Sequence, residues 1–284
     1  MRVEKNIEMK KIIYVIVLLI GLITSACDQS TSKKNNYDSK TEAKKAEVKN
    51  VIYTKYNIPL PVELFKYMVR EDVPFNIDFL NDVSNLPKYT TETKQALALG
   101  LYSAEVAYCS LYGKQQEVLE YFNCASSLAS KLNIEEGFSY KNMERIENNI
   151  NSADSISAIA TECYWNACDF LDMNGKNNIL PFVVYSGWVE SQYLTIVSNN
   201  LPSTRQKIMD QKEGLHNLIN YLYEVMIEST AFYYSYDIRL LILKLNNLKD
   251  VYDKVNKSGV NIDSEIYKDI IGKITAMRNE IVNQ

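Results

Sequence analysis

Glu190 is the residue whose setting most invites chemistry. Between Lys176 and Arg205 it is the only charged residue, and it lies in the most apolar helical stretch of the chain. A buried carboxylate is costly unless it is paired with a cation or protonated. Gly187 and Ser186, one turn earlier, leave room for another group to approach. Two expectations follow. In one, Glu190 works in a cavity with Trp188, Tyr193 and Tyr185 on a small polar ligand. In the other, which the residue types favour, Glu190 forms a structural ion pair with Arg239, Arg145 or Arg278.

Other constellations are weaker. Glu213-Gly214-Leu215-His216 has the Glu-x-x-His spacing of a ferritin-like di-iron bundle, but that centre needs the pair twice and two further glutamates. His216 is the sole histidine, so no metal is assigned and His216 reads as a surface or capping residue. Asp169/Asp172 and Glu224/Glu228 lie one helical turn apart, as acids on solvated helix faces do; no residue is assigned as catalytic. Tyrosines number 21. The group Tyr233, Tyr234 and Tyr236, beside Asp237 and Arg239, could stack on sugars, although tyrosine more often fills helix interfaces with its hydroxyl bonded or wet. The nine glycines are never closer than the pair Gly175 and Gly187. Phosphate loops, dinucleotide turns and nucleophile elbows need clustered glycines, so neither a nucleotide nor any other cofactor is expected.

The N-terminal residues point to a compartment. Met9-Lys10-Lys11 precedes an apolar run from Ile12 to Ile23, followed by Thr24-Ser25-Ala26-Cys27. A basic start, a short apolar segment and small residues form a secretory signal, too short for a comfortable span. Met9 makes a better start than Met1, because Glu4 and Glu8 sit awkwardly in a basic leader. The cysteine after the small residues resembles a bacterial lipobox, which implies cleavage before Cys27 and lipid on its thiol. Residues 1–26 are thus expected to be a signal peptide and residues 27–50, rich in Ser, Thr, Asn, Lys and Glu, a flexible tether. Loss of the signal removes four bases and two acids from the 31 and 35 of the whole chain, leaving a net charge of −6. No basic cluster with interleaved aromatics appears, so nucleic acid is not an expected partner. Cys109, Cys124, Cys163 and Cys168 have spacings that disfavour local disulfides and read as buried thiols.

Residues 51–284 must position all of this, and their periodicity is helical. Short helices are expected after Pro59-Leu60-Pro61 and over Phe75 to Val83, stopped by Pro87. Leu97, Leu101, Ala104, Tyr108 and Leu111 define a long helix capped by Thr90 or Thr91 and ended near Gly113. Beside that stripe runs a seam of small residues, Ala96, Gly100, Ser103, Ala107 and Ser110, which lets another helix approach closely. Further helices follow over 118–132, 139–150 and 156–171, the last closed by Asn174-Gly175. Residues 178–199 are apolar nearly all round, as a central helix is. One helix then runs from Ile208 to Met226, one from Ile238 to Val255 before Ser258-Gly259, and a last one from Ile266 to Ile281. The fold class is all-α: a single bundle of about eight or nine mostly antiparallel helices. Phe122-x-x-Ala125-x-x-Leu128 resembles a tetratricopeptide helix, but no 34-residue recurrence accompanies it.

Tyr56-Asn57-Ile58-Pro59-Leu60-Pro61, Pro87-Lys88-Tyr89-Thr90-Thr91, the run from Ala96 to Tyr108, and Gly187-Trp188-Val189-Glu190-Ser191-Gln192-Tyr193 resemble a family of helical lipoproteins from Bacteroidetes. The likeness extends to the ending Ile274 to Val282. It implies an envelope lipoprotein, on the outer membrane, and brings no catalytic residues. The functional expectation is therefore a lipid-anchored envelope module that binds or scaffolds a membrane-associated partner. The alternative is a lipoprotein that binds a small ligand or glycan in a pocket around Trp188, Glu190 and Tyr193.

Overall fold

Most of the described residues are helical. The computed structural model describes residues 56–135, 140–149, 151–173, 178–198, 201–228, 232–254 and 265–283. The expected signal and tether, Cys27, and the expected helix ends at Gly175 and Gly259 lie outside them, as do the side chains of Asp169, Asp172, Tyr233 and Tyr234. The described residues hold ten α-helices and no strand. In chain order these are α1 (Pro61–Arg70), α2 (Glu92–Leu111), α3 (Gln115–Lys131), α4 (Tyr140–Asn148), α5 (Ala153–Met173), α6 (Leu180–Ser198), α7 (Pro202–Met209), α8 (Lys212–Glu228), α9 (Phe232–Asp253) and α10 (Glu265–Val282).

Local sequence sets the boundaries. Proline occupies the first turn of α1 and α7, where its missing N–H is no loss. Thr91 caps α2 by accepting from the Lys94 N–H. Gly113 then adopts φ +63°, and the Lys114 N–H turns back to the Cys109 carbonyl. Two expected elements differ. The segment from Phe75 is not one helix stopped by Pro87 but two 3₁₀ turns, Ile77–Phe79 and Val83–Lys88, the second with Pro87 inside it. Asn76 and Asp82 accept from the backbone N–H two residues on, fixing tight turns in place of an α-helical start. The single helix expected from Ile208 to Met226 is split at Asp210-Gln211. Gln211 N–H donates to Ile208 in a tight last turn, and α8 begins anew.

At the centre, α2 and α6 cross. Every residue from Leu180 to Gln192 is buried, and α6 touches α1, α2, α5, α7, α8, α9 and α10. The small-residue seam makes the crossing possible. A Cβ built on Gly100 would lie 2.1 Å from the Val183 carbonyl oxygen and 2.2 Å from Ser186 Oγ. Gly187 completes the contact, since its own added Cβ would sit 3.4 Å from the Gly100 carbonyl oxygen. Cys109, Cys124, Cys163 and Cys168 are buried and unbridged; burial pushes the Cys124 thiol up to about 11 and the Cys163 thiol up to about 12. Among the described residues, no helix is long and apolar enough to cross a membrane.

Candidate functional site

The crossing of α2 and α6 carries two acids into the core. Glu105 on α2 and Glu190 on α6 are both fully buried. Their one cation comes from α10: Arg278 Nε donates to Glu190 Oε2 at 3.3 Å, and its Nη2 donates to the Phe79 carbonyl at 3.1 Å. The guanidinium carbon lies 4.6 Å from the centre of the Tyr193 ring, in cation–π range. Glu105 Oε1 accepts a short bond from the Asn81 N–H. Asn81 in turn donates from Nδ2 to the Tyr89 hydroxyl.

Two oxygens complete the description. Glu105 Oε2 and Glu190 Oε1 are buried and receive no N–H or O–H from any other group. Two carboxylates facing one guanidinium cannot both ionise without leaving a buried negative charge unmatched. Burial, and next the Glu190 carboxylate, push Glu105 well above the ordinary carboxylate range, while the Asn81 N–H and Arg278 pull the other way. Burial also raises Glu190, against the attraction of Arg278. Two carboxyl groups so placed titrate as a pair and not as independent residues.

Of the three arginines considered for Glu190, the partner is Arg278. Arg145 is engaged by Glu162 at 2.7 Å, and Arg239 is exposed on α9. Glu105 has no role assigned from sequence, although it is the only charged residue between Lys94 and Lys114. That is the same signal that marked Glu190.

No family model, curated protein or solved structure matches this chain.

The remaining candidate residues fall around the pair without forming one chamber. Tyr185 and Trp188 are buried, and Tyr193 is half-buried beneath Arg278. The backbone at Gly187 is occupied by its approach to Gly100. Trp188 Nε1 has no hydrogen-bond partner. The crevice lined by Trp188 has a volume of about 10 Å³ and is walled by Ile58, Pro59, Leu60, Pro61, Tyr164 and Val184. That space is of the order of one water molecule, and neither Glu190 nor Tyr193 lines it. The two members of the Glu-x-x-His spacing face different ways. Glu213 lines a depression of about 190 Å³ with Glu63 and Asp210. His216 Nε2 lies 3.9 Å from Asp253, which also holds Lys212 and Lys249. Among the described residues, no three His, Cys, Asp or Glu side chains are placed to hold a metal ion.

Proposed function

We propose that the protein is a lipid-anchored module of the bacterial envelope that binds a membrane-associated protein partner and performs no chemistry. Anchoring through Cys27 is supported by the signal-like leader and the small residues before that cysteine. The resemblance to helical lipoproteins of Bacteroidetes supports the outer membrane as its location. The observation that carries the binding role is an exposed apolar edge on α8 and α9.

Helices α8 and α9 run antiparallel, with Lys212 at the start of one paired to Asp253 at the end of the other. Asn246 donates to the Tyr223 hydroxyl across the pair at 3.4 Å. One turn from those two residues lie Ile227, 77% exposed, and Leu243, 54% exposed; Leu240 and Tyr236 continue the edge. Isolated surface apolar residues are ordinary, but several large ones along one helix pair suit a protein contact. On α8 the exposed Glu228 follows Ile227, and on α9 the exposed Arg239 precedes Leu240, while Asp237 accepts from the Thr93 hydroxyl of α2. A pocket for a small ligand or glycan around Trp188, Glu190 and Tyr193 is the weaker reading, because Arg278 already answers Glu190 and the crevice at Trp188 is so small.

The test is recovery of the full-length lipidated protein from crosslinked membranes. The unaltered protein is expected to bring down a membrane-associated partner. The double variant Ile227→Lys/Leu243→Lys should lose at least about tenfold of it, with its urea midpoint held because both sites are exposed. Partner-free recovery of the unaltered protein, or full retention by the variant, would contradict the proposal.

A further inference from the structure

We propose that the Glu105–Glu190–Arg278 cluster is a one-proton latch: the proton held between the two carboxyls keeps α10 seated on α2 and α6, and its loss loosens α10. The count of charges carries the argument. Helix α2 brings Glu105, Tyr102 and Cys109 to the cluster, and α3 brings Tyr121 and Cys124. Helix α6 brings Glu190 and Tyr193, and the segment before α2 brings Tyr89. Burial holds each of these tyrosines and cysteines neutral. Arg278 is the cation that faces the pair from α10. Two residues further along α10, Glu280 is taken by Lys244 of α9. With one proton the cluster is neutral; without it, a buried negative charge is left over and two carboxylates repel.

The same count explains which part gives way. Helices α2 and α6 are locked by the backbone approach at Gly100 and cannot separate without opening the core. Helix α10 is the last described helix, with contacts to α2, α6 and α9. It is tied to the Phe79 carbonyl and to Glu190 through the one side chain that the lost proton unbalances. Moving α10 outward lets water reach both carboxylates while the central crossing stays closed. The proton passes from the carboxyl pair to solvent, and no bond other than that O–H is broken.

Hydrogen–deuterium exchange on the full chain, with protection corrected for intrinsic exchange rates, tests the latch between about pH 5 and about pH 8. The opening constant of α10 amides is expected to rise about tenfold per pH unit where the proton is released, because opening then sheds one proton. Amides of α2 and α6 should stay protected over the same range. In Glu105→Gln the amide takes the proton's place, accepting from Asn81 N–H and donating to Glu190, so α10 protection should no longer depend on pH. A flat response of α10 in the unaltered protein overturns the proposal, and that arm needs no variant to fold. An unchanged slope in Glu105→Gln, or loss of protection in all helices together, overturns it as well.

Discussion

Arg278→Met is expected to destabilise the protein by about 3–5 kcal/mol near pH 8, the usual cost of removing one member of a buried ion pair. The methionine fills much of the space but leaves Glu190 with no cation. It also leaves the Phe79 carbonyl without its donor. The loss should shrink on acidification. Without Arg278, Glu190 has a folded-state pKa raised further above its unfolded value. Folding then takes up a proton, and stability grows as pH falls through that raised pKa toward the ordinary carboxylate range. Arg278→Lys should restore little of the stability. A lysine offers one compact charge, whereas the guanidinium serves Glu190 and Phe79 together and lies over the Tyr193 ring. Urea unfolding of the three proteins across this pH range gives both the size and the sign. An Arg278→Met loss independent of pH would mean that the side chain matters for packing alone.

Gly100→Ala should also destabilise the protein, although alanine is the better helix former by about 1 kcal/mol. Its methyl would meet the Val183 carbonyl oxygen at 2.1 Å, which is backbone and cannot rotate away. Helices α2 and α6 must therefore move apart, and overpacking of this kind costs typically 1–3 kcal/mol. The expected net loss is about 2 kcal/mol, read as a fall in melting temperature of roughly 4–8 °C for a domain of this size. The same substitution at Gly272 meets nothing within 4 Å and should raise stability slightly. A Gly100→Ala protein as stable as the parent would show that the two helices are not held together at this point.

How far the sequence reveals the fold can be judged at these same positions. The recurrence of Leu97, Leu101, Ala104 and Tyr108 marks α2, and the apolar residues on nearly every side of 178–199 mark α6 as central, because burial leaves its imprint on residue type at helical spacing. The small-residue seam also points to a close crossing. The 3₁₀ turns Ile77–Phe79 and Val83–Lys88 are not legible as such, since a few apolar residues at short spacing do not distinguish one helix type from another. What decided them was the capping by Asn76 and Asp82 and the engagement of Asn81 by Glu105. The break between α7 and α8 was hidden for a related reason: the apolar period continues across it while the backbone does not.

The site was half legible. A lone charge in an apolar helix must find a partner, which singles out Glu190 and narrows its cation to three arginines. Only the tertiary arrangement selects Arg278, which lies 88 residues away. Glu105 carried the same lone-charge signal on α2, and applying the argument to both helices would have suggested two carboxylates in one core. That the two meet could not be read from either stretch, because it depends on where α2 crosses α6. Gly187 leaves room beside Glu190 in the sequence; in the structure that room admits the backbone of α2 at Gly100.

At the crossing of α2 and α6, the buried Glu105–Glu190 pair is proposed to keep one proton. Carbon-13 NMR of the glutamate side-chain carboxyls, followed through a pH titration of the folded protein, tests this most directly. One proton-sharing pair is expected to titrate well above all the other glutamates, and that late step should vanish in Glu105→Gln. If every glutamate carboxyl titrates in the ordinary range, no proton is shared between Glu105 and Glu190, and the central claim is wrong.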